Sequence, residues 1–98
     1  MKNEVAKTIL SQLGGNRFLA MTGAHSLTAS ANALEIKLPK NPAKVYGLKI
    51  ELAADDTYSM LIGTQKPHFV FTWEKIEGIY CDNLVSIFEE KTGLAARL

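Results

Sequence analysis

The middle of the chain alternates apolar and polar residues with a period of two. Four segments share this pattern: 34–38, 46–52, 58–63 and 69–74. Because successive side chains of a β-strand point to opposite faces, the pattern predicts strands of a sheet that is covered on one side. Three short connections join the segments: 39–45, 53–56 and 64–67. Connections of this length favour consecutive hairpins, so we predict a four-stranded antiparallel meander.

Charged residues on the first two predicted strands indicate their register. Placing Glu35 opposite Lys49 brings opposite charges together, and it also sets Ile36 opposite Leu48. The alternative pairing, Lys37 opposite Lys49, would bring like charges together and reduce stability. We therefore predict the first register.

Both ends of the chain show the apolar spacing of amphipathic helices. Residues 5, 6, 9, 10 and 13 are apolar and predict a helix over 3–13, ended by Gly14–Gly15. Residues 80, 84, 87 and 88 predict a second helix over 80–92, with Gly93 after its last turn. Between the first helix and the sheet, residues 16–32 fit two interpretations. Arg17–Met21 could form a short strand or one helical turn, and 26–29 could form an edge strand.

These elements predict a single α+β domain over residues 1–98. We expect the N-terminal and C-terminal helices to pack on one face of the meander, the face that carries Phe69, Phe71 and Trp73. Apolar residues make up 47% of the chain and charged residues 21%, which suits one modest core.

The net charge is only +1, so the chain lacks the strongly positive overall charge of a protein that coats nucleic acid. The two halves nevertheless differ in charge. Residues 1–49 contain seven basic and two acidic residues, whereas residues 50–98 contain four basic and eight acidic residues. Such an asymmetry can orient a charged partner.

Cysteine usage and hydropathy predict a cytoplasmic protein. The chain has one cysteine, Cys81, so it cannot form an intrachain disulfide, and a reducing compartment fits best. The N-terminal segment carries Glu4 and Lys7 and does not resemble a signal peptide. No apolar run approaches the roughly 18 residues of a membrane span, so we predict no membrane partner.

Residues capable of catalysis or metal binding lack the spacing that such sites need. His25, His68, Cys81 and Asp82 form no recognised ligand pattern, and we expect Cys81 to be at least half-buried. Asp55–Thr57 fits a turn better than a cation site. We therefore predict no catalytic residue, no metal and no cofactor, and a protein that is not an enzyme.

Four lysines lie on or near the first hairpin of the meander. They are Lys37, Lys40, Lys44 and Lys49, and no acidic residue separates them. Such a cluster could contact phosphates, which makes it a candidate nucleic-acid site. The alternative is that these lysines are ordinary solvated residues that discourage edge aggregation. The predicted faces favour the alternative, because the aromatic residues that would stack a base fall on the opposite side of the sheet.

A small apolar patch on the outer side of the sheet is the second candidate site. We expect Leu61 and Val70 to be cross-strand neighbours there, close to Gly63 and Thr72. An apolar patch on a solvated face suits a protein partner or a second copy of the chain. The candidate interface residues are therefore Leu61, Val70 and Thr72.

Several short motifs resemble a family of short uncharacterised proteins encoded by bacteriophages and prophages. The motifs extend over nearly the whole chain: Gly15-Asn16-Arg17-Phe18, Met21-Thr22-Gly23-Ala24, Leu34 to Pro39, Lys49-Ile50-x-Leu52, Asp56-Thr57-Tyr58, Gly78-Ile79-Tyr80-x-Asp82-x-Leu84, and Phe88 followed by Thr92-Gly93-Leu94. None of them is catalytic. The resemblance implies a phage or mobile-element context and a location in the host cytoplasm.

The sequence thus leads to two functional hypotheses. The first is a non-enzymatic accessory protein that binds a host or phage protein, with inhibition of a host defence system as its role. The second is an accessory protein that binds nucleic acid through the lysine-bearing hairpin.

Overall fold

The computed structural model describes the backbone of residues 4–66 and 70–94, and the side chains of 4–64 and 72–94. Within these residues the chain folds as an α+β structure with three α-helices and five strands. The helices are α1 (Glu4–Leu13), α2 (Gly15–Thr22) and α3 (Leu84–Thr92), with a 3₁₀ turn at Cys81–Asn83 before α3. The strands are β1 (His25–Ala29), β2 (Ala33–Lys37), β3 (Val45–Leu52), β4 (Tyr58–Lys66) and β5 (Val70–Ile79).

The sheet is an antiparallel meander in the order β1-β2-β3-β4-β5. The predicted meander is confirmed, but the predicted strand number of four is wrong, because β1 adds an edge strand beside β2. Thr28 pairs with Glu35, and Ala29 pairs with Leu34. The edge strand considered at 26–29 is therefore present, as β1, although all five of its residues are exposed and show no apolar alternation.

The predicted register of the first hairpin is confirmed. Glu35 lies opposite Lys49, and Ile36 lies opposite Leu48. This register places the apolar residues of both strands on one face, where the helices cover them. Charge pairing and burial therefore favour the same alignment.

The segment that fitted two interpretations contains a helix, α2. Gly14 follows the last residue of α1 and Gly15 begins α2, and both have positive φ angles, 129° and 61°, which separate the two helices. Phe18 on α2 is completely buried. Two helices on the N-terminal side therefore cover the sheet, where the pattern predicted one.

The core lies between the helices and one face of the sheet. Helix residues in the core are Ala6, Ile9, Leu13, Phe18, Leu84 and Phe88. Sheet residues in the core are Leu34, Ile36, Val45, Leu48, Ile50, Tyr58, Met60, Ile62 and Ile79. With the helices on this face, the opposite face of the sheet is left without a covering element among the described residues.

The hairpin of β4 and β5 differs from its prediction in length and register. Strand β4 continues to Lys66 and β5 begins at Val70, so the predicted turn over 64–67 is wrong. Leu61 pairs with Lys75, not with Val70, whose partner is Lys66. Hairpin register depends on where the turn closes, and a displacement by an odd number of residues exchanges the two faces.

The changed register moves Trp73 and Thr72 to the sides opposite to those predicted. Trp73 pairs with Gly63 and is 57% exposed, so its predicted place in the core is wrong. Thr72 pairs with Thr64 on the helix-covered side. The predicted core face also included Phe69 and Phe71. Phe69 and the side chain of Phe71 lie outside the described residues.

Candidate binding face on the outer side of the sheet

Two rows of cross-strand partners form the centre of the sheet face that points away from the helices, which we call the outer face. The first row is Glu35, Lys49, Leu61 and Lys75, and the second row is Lys37, Gly47, Gly63 and Trp73. Directly paired residues in an antiparallel sheet project to the same side. Each row therefore crosses the sheet from β2 to β5.

An irregularity in β3 brings an aromatic ring to the outer face. The pairing of β3 with β4 shifts between Val45 and Gly47, so Tyr46 leaves the alternation that predicted it for the core. A Cβ added at Gly63 would lie 2.8 Å from Tyr46 Cζ, which shows that the Tyr46 ring covers this glycine. Gly63 is thus a position where only hydrogen leaves room for the ring.

Tyr46 and Trp73 form an aromatic pair at the surface, in which Trp73 is exposed and Tyr46 is half-buried. Their ring centroids are 5.6 Å apart and the planes meet at 76°, which is an edge-to-face arrangement. Lys37 Nζ lies 5.7 Å from the centroid of the Tyr46 ring, within the range of a cation–π interaction. The two rings and the ammonium group form one contiguous surface on the outer face.

An open pocket of about 260 Å³ adjoins this aromatic pair. Its walls include Lys37, Tyr46, Lys49, Leu61 and Trp73, and the backbone of Gly47 contributes to it. Gly47 contributes no side chain to this space, whereas the space above Gly63 is filled by the Tyr46 ring. Glycines inside strands often mark such close approaches or bulges.

Charges of both signs surround the pocket. Lys49 Nζ and Glu51 Oε2 are 3.9 Å apart, and both side chains are about one-third exposed, 34% and 29%. Glu35 and Lys75 stand at opposite ends of the first row, and neither forms an ion pair with a described residue. The outer face therefore combines an aromatic pair with charges of both signs.

The four candidate lysines separate into two groups. Lys37 and Lys49 lie on the outer face beside the aromatic pair, whereas Lys40 and Lys44 are exposed in the loop between β2 and β3. The prediction that no aromatic residue shares the lysine face is wrong. The β3 irregularity and the β5 register reverse the sides on which Tyr46 and Trp73 were expected.

Asn41 organises the lysine-bearing loop. Its Nδ2 donates to the carbonyl oxygens of Pro39 (2.9 Å) and Val45 (2.6 Å), and its Oδ1 accepts from the Val45 amide at 3.1 Å. The side chain is buried, at 8% exposure. These bonds hold Lys44 at a positive φ of 59°, which a non-glycine residue adopts rarely.

The three candidate interface residues do not come together as one patch. Leu61 lies on the outer face at the pocket, and Thr72 is exposed on the other side of the sheet. The side chain of Val70 lies outside the described residues. Alternation alone did not predict Tyr46, Trp73 or Lys75 on this face, although Gly47 and Gly63 within predicted strands were a signal of close packing.

The residues considered for metal binding and catalysis are dispersed in the described part of the chain. Across residues 4–66 and 70–94, no three His, Cys, Asp or Glu side chains are grouped to hold a metal ion. Cys81 is exposed, contrary to prediction, and its thiol donates to the Asp82 carboxylate at 3.6 Å. His25 is exposed beside Ser26, and His68 lies outside the described residues.

Asp55 forms the turn that its sequence context predicted. Its Oδ1 accepts from the Thr57 hydroxyl at 2.6 Å and from the Thr57 amide at 3.2 Å. These hydrogen bonds lower the pKa of the Asp55 carboxyl below its usual value, with the hydroxyl bond as the largest cause. The carboxylate is thus engaged in closing the β3–β4 turn.

Comparison with known proteins adds no family assignment: no family model, curated protein or solved structure matches the chain. In the described ranges, none of the helices has both the length and the apolar character needed to cross a membrane.

Proposed function

We propose that this chain is a small non-enzymatic binding protein that contacts a protein partner through its outer face. The observation that carries the proposal is the edge-to-face pair of Tyr46 and Trp73 at the surface, beside an open pocket. Tryptophan and tyrosine are enriched among the residues that contribute most to protein–protein affinity. Interfaces between proteins are also enriched in aromatic residues and contain polar and charged neighbours.

The mixed charges of the outer face favour a protein partner over a polyanion. Lys37, Lys49 and Lys75 share the face with Glu35 and Glu51. A phosphate backbone would be repelled by the two carboxylates, whereas a protein surface can present both signs.

Removing the Trp73 side chain tests this proposal. We expect Trp73→Ala to reduce capture of partners from a cell lysate at least about tenfold, since aromatic residues that anchor an interface are worth about 2 kcal/mol or more. Leu61→Glu, which places a charge in the pocket, should have the same effect. Tyr80→Ala is the matched control, because Tyr80 is 65% exposed but lies after β5 and away from the pocket.

Capture should be measured by quantitative mass spectrometry after nuclease treatment, with circular dichroism to confirm that each variant folds. Unchanged capture by folded Trp73→Ala would contradict the proposal. Loss of capture by Tyr80→Ala to the same extent would also contradict it.

A second candidate function is binding of single-stranded nucleic acid. The specific observation in its favour is that Tyr46 and Trp73 share a face with Lys37 and Lys49. Aromatic rings on a sheet can stack bases while neighbouring lysines contact phosphates. Lys40 and Lys44 would extend the basic surface from the adjoining loop.

An oligonucleotide titration monitored by fluorescence tests this candidate, because Trp73 is the single tryptophan of the chain. Binding through the outer face predicts quenching of Trp73 and a steep loss of affinity with salt. Lys37→Glu with Lys49→Glu should abolish binding, whereas Lys40→Glu with Lys44→Glu should only weaken it. No quenching by oligothymidylate or oligouridylate at low salt would exclude this candidate.

For the cellular role we propose that of a phage or mobile-element accessory protein that inhibits a host defence system. The support for this role is the resemblance of the sequence motifs to short phage proteins. Many of those motif residues are structural, since Phe18 and Phe88 are core residues and Gly23 and Gly93 end helices. They consequently specify the fold and leave the partner open.

A further inference from the structure

The first row of the outer face has opposite charges at its two ends. Glu35 lies on β2 and Lys75 on β5, with Lys49 and Leu61 between them. A negative charge thus stands on one side of the sheet centre and a positive charge on the other. A surface with this arrangement can be complementary to itself.

Two copies of the chain can face each other through their outer faces, related by a two-fold axis that runs parallel to the strands between β3 and β4. This axis brings the negative end of the row in one copy to the positive end in the other. The axis brings β2 of one copy over β5 of the other, so Glu35 faces Lys75 of the second copy, and the reverse contact also forms. It also brings Lys49 over Leu61, where the aliphatic stem of the lysine can pack on the leucine. Packed sheets keep their strand directions within about 30°, which preserves these contacts near the axis.

The same axis matches the second row. Lys37 of one copy faces Trp73 of the other, which allows a cation–π contact, and Gly47 faces Gly63. The Trp73 ring, which is 57% exposed in one chain, would then lie beside the pocket that Lys37, Tyr46 and Lys49 line in the other. The Tyr46 ring lies above Gly63 and would therefore stand at the centre of this interface.

We infer that the partner of the outer face is a second copy of this chain, packed sheet against sheet about a two-fold axis parallel to the strands. The inference rests on the proposed function, since it names the occupant of the same binding face. It follows from the complementarity of both rows about that axis. In a two-fold dimer the same patch on both copies forms the interface, and each contact occurs twice.

Charge exchange between Glu35 and Lys75 is the decisive experiment. Sedimentation velocity on the purified chain, over a wide concentration range, should show a monomer–dimer equilibrium. Glu35→Lys places lysine opposite Lys75 twice per dimer, and we expect the dissociation constant to rise at least about tenfold. Lys75→Glu should do the same, whereas the double variant restores opposite charges and should dimerise nearly as well as the wild type.

Two matched controls separate these contacts from net charge. Glu90→Lys makes the same charge change as Glu35→Lys on the exposed surface of α3, and Lys40→Glu makes the change of Lys75→Glu in the β2–β3 loop. Neither should shift the dissociation constant. Circular dichroism and thermal melting should show that all variants remain folded.

The outcomes distinguish this inference from the proposed function. A wild-type chain that stays monomeric overturns the second-copy inference, and the Trp73→Ala capture experiment then decides separately whether the outer face binds another protein. A different rescue pattern overturns the inferred axis. If Lys37→Glu restores dimerisation of the Glu35→Lys variant and Lys75→Glu does not, β2 of one copy must face β2 of the other. A dimer unaffected by Trp73→Ala also overturns the second-copy inference, because the copies then associate through another surface.

Discussion

Phe18 on α2 and Phe88 on α3 pack edge to face in the centre of the core, with ring centroids 4.9 Å apart. Both side chains are completely buried. Each begins the same six-residue pattern, F-x-x-x-T-G, which ends its helix: residues 18–23 in α2 and 88–93 in α3. The pattern is therefore used twice, at two helix ends that meet in one core.

The threonine of each pattern closes the helix by the same hydrogen bonds. Thr22 Oγ1 donates to the Phe18 carbonyl at 2.7 Å, and Thr92 Oγ1 donates to the Phe88 carbonyl at 2.8 Å. Each hydroxyl also accepts from the amide two residues later, at 3.2 Å and 3.1 Å. The glycine between them adopts the left-handed conformation, in which Gly is favoured at helix ends.

Thr92→Val should destabilise the fold by about 1–2 kcal/mol. The substitution keeps the shape but removes a hydroxyl from a residue that is 0% exposed, and it leaves the Leu94 amide without its acceptor. Urea denaturation should report the change in the free energy of unfolding. Thr8→Val is the matched control, because Thr8 Oγ1 also donates to the carbonyl four residues earlier, at 2.9 Å, but is exposed. An equal loss in both variants would contradict a role for the buried helix ending.

Asn41→Ala should destabilise the fold by roughly 1–3 kcal/mol, because it removes three hydrogen bonds to backbone groups around the β2–β3 loop. Hydrogen exchange should accelerate at the Val45 amide, which loses its acceptor. Thermal melting and amide exchange together measure these effects. Asn32→Ala, at an exposed asparagine between β1 and β2, should change neither. A Val45 amide as protected as in the wild type would show that the loop does not depend on Asn41.

Gly63→Ala should displace the Tyr46 ring with only a small loss of stability. The new methyl group would meet Tyr46 Cζ at 2.8 Å, and this ring is the far end of a side chain that can rotate away. Separation of Tyr46 from Trp73 should change the fluorescence of the single tryptophan. In a Tyr46→Ala background, Gly63→Ala should leave the fluorescence unchanged. A change of equal size in both backgrounds would place the effect elsewhere than at the Tyr46 ring.

Asp55 should contribute a pH-dependent part of the stability at acid pH. Because hydrogen bonds from Thr57 lower its pKa in the folded state, the folded chain binds this proton less readily than the unfolded chain. The stabilisation is fully present above the ordinary aspartate value of about 4, and it is lost as the pH falls through the lower folded-state pKa.

The comparison of wild type with Asp55→Asn measures this effect by urea denaturation at a series of pH values. The difference in stability between the two proteins should be constant near neutral pH and should shrink below about pH 4. A difference that grows on acidification would show that the folded chain binds the Asp55 proton more readily, contrary to this prediction.

The strands with one buried face were predictable, because their apolar residues alternate. The pairing of Glu35 with Lys49 followed from charge and burial together. Strand β1 could not be found this way, since all of its residues are exposed. The local pattern of Arg17–Met21 fits both a strand and a helical turn. The two adjacent glycines before it end the apolar stripe of α1, so that stripe does not continue into α2. The repeated F-x-x-x-T-G pattern is the signal that α2 ends in the same way as α3.

The outer face was not predictable from alternation. Trp73 and Tyr46 both fell on apolar positions of alternating segments, and alternation alone assigns such residues to the core. The position of the β4–β5 turn and the irregularity in β3 reversed both assignments. Alternation does not encode these two shifts, since the same alternating residues fit either register and the position of the turn or bulge decides between them.

Apolar periodicity and charge were sufficient to predict the α+β class, the antiparallel meander, the helices at both ends and one hairpin register. They were sufficient because these features follow from the alternation, spacing and charge of the residues within each segment. Only the tertiary structure decided which residues lie on the outer face. Their placement depends on the register of β4 with β5 and on the space above Gly63, and both are set by how neighbouring strands pair, not by the alternation within one strand.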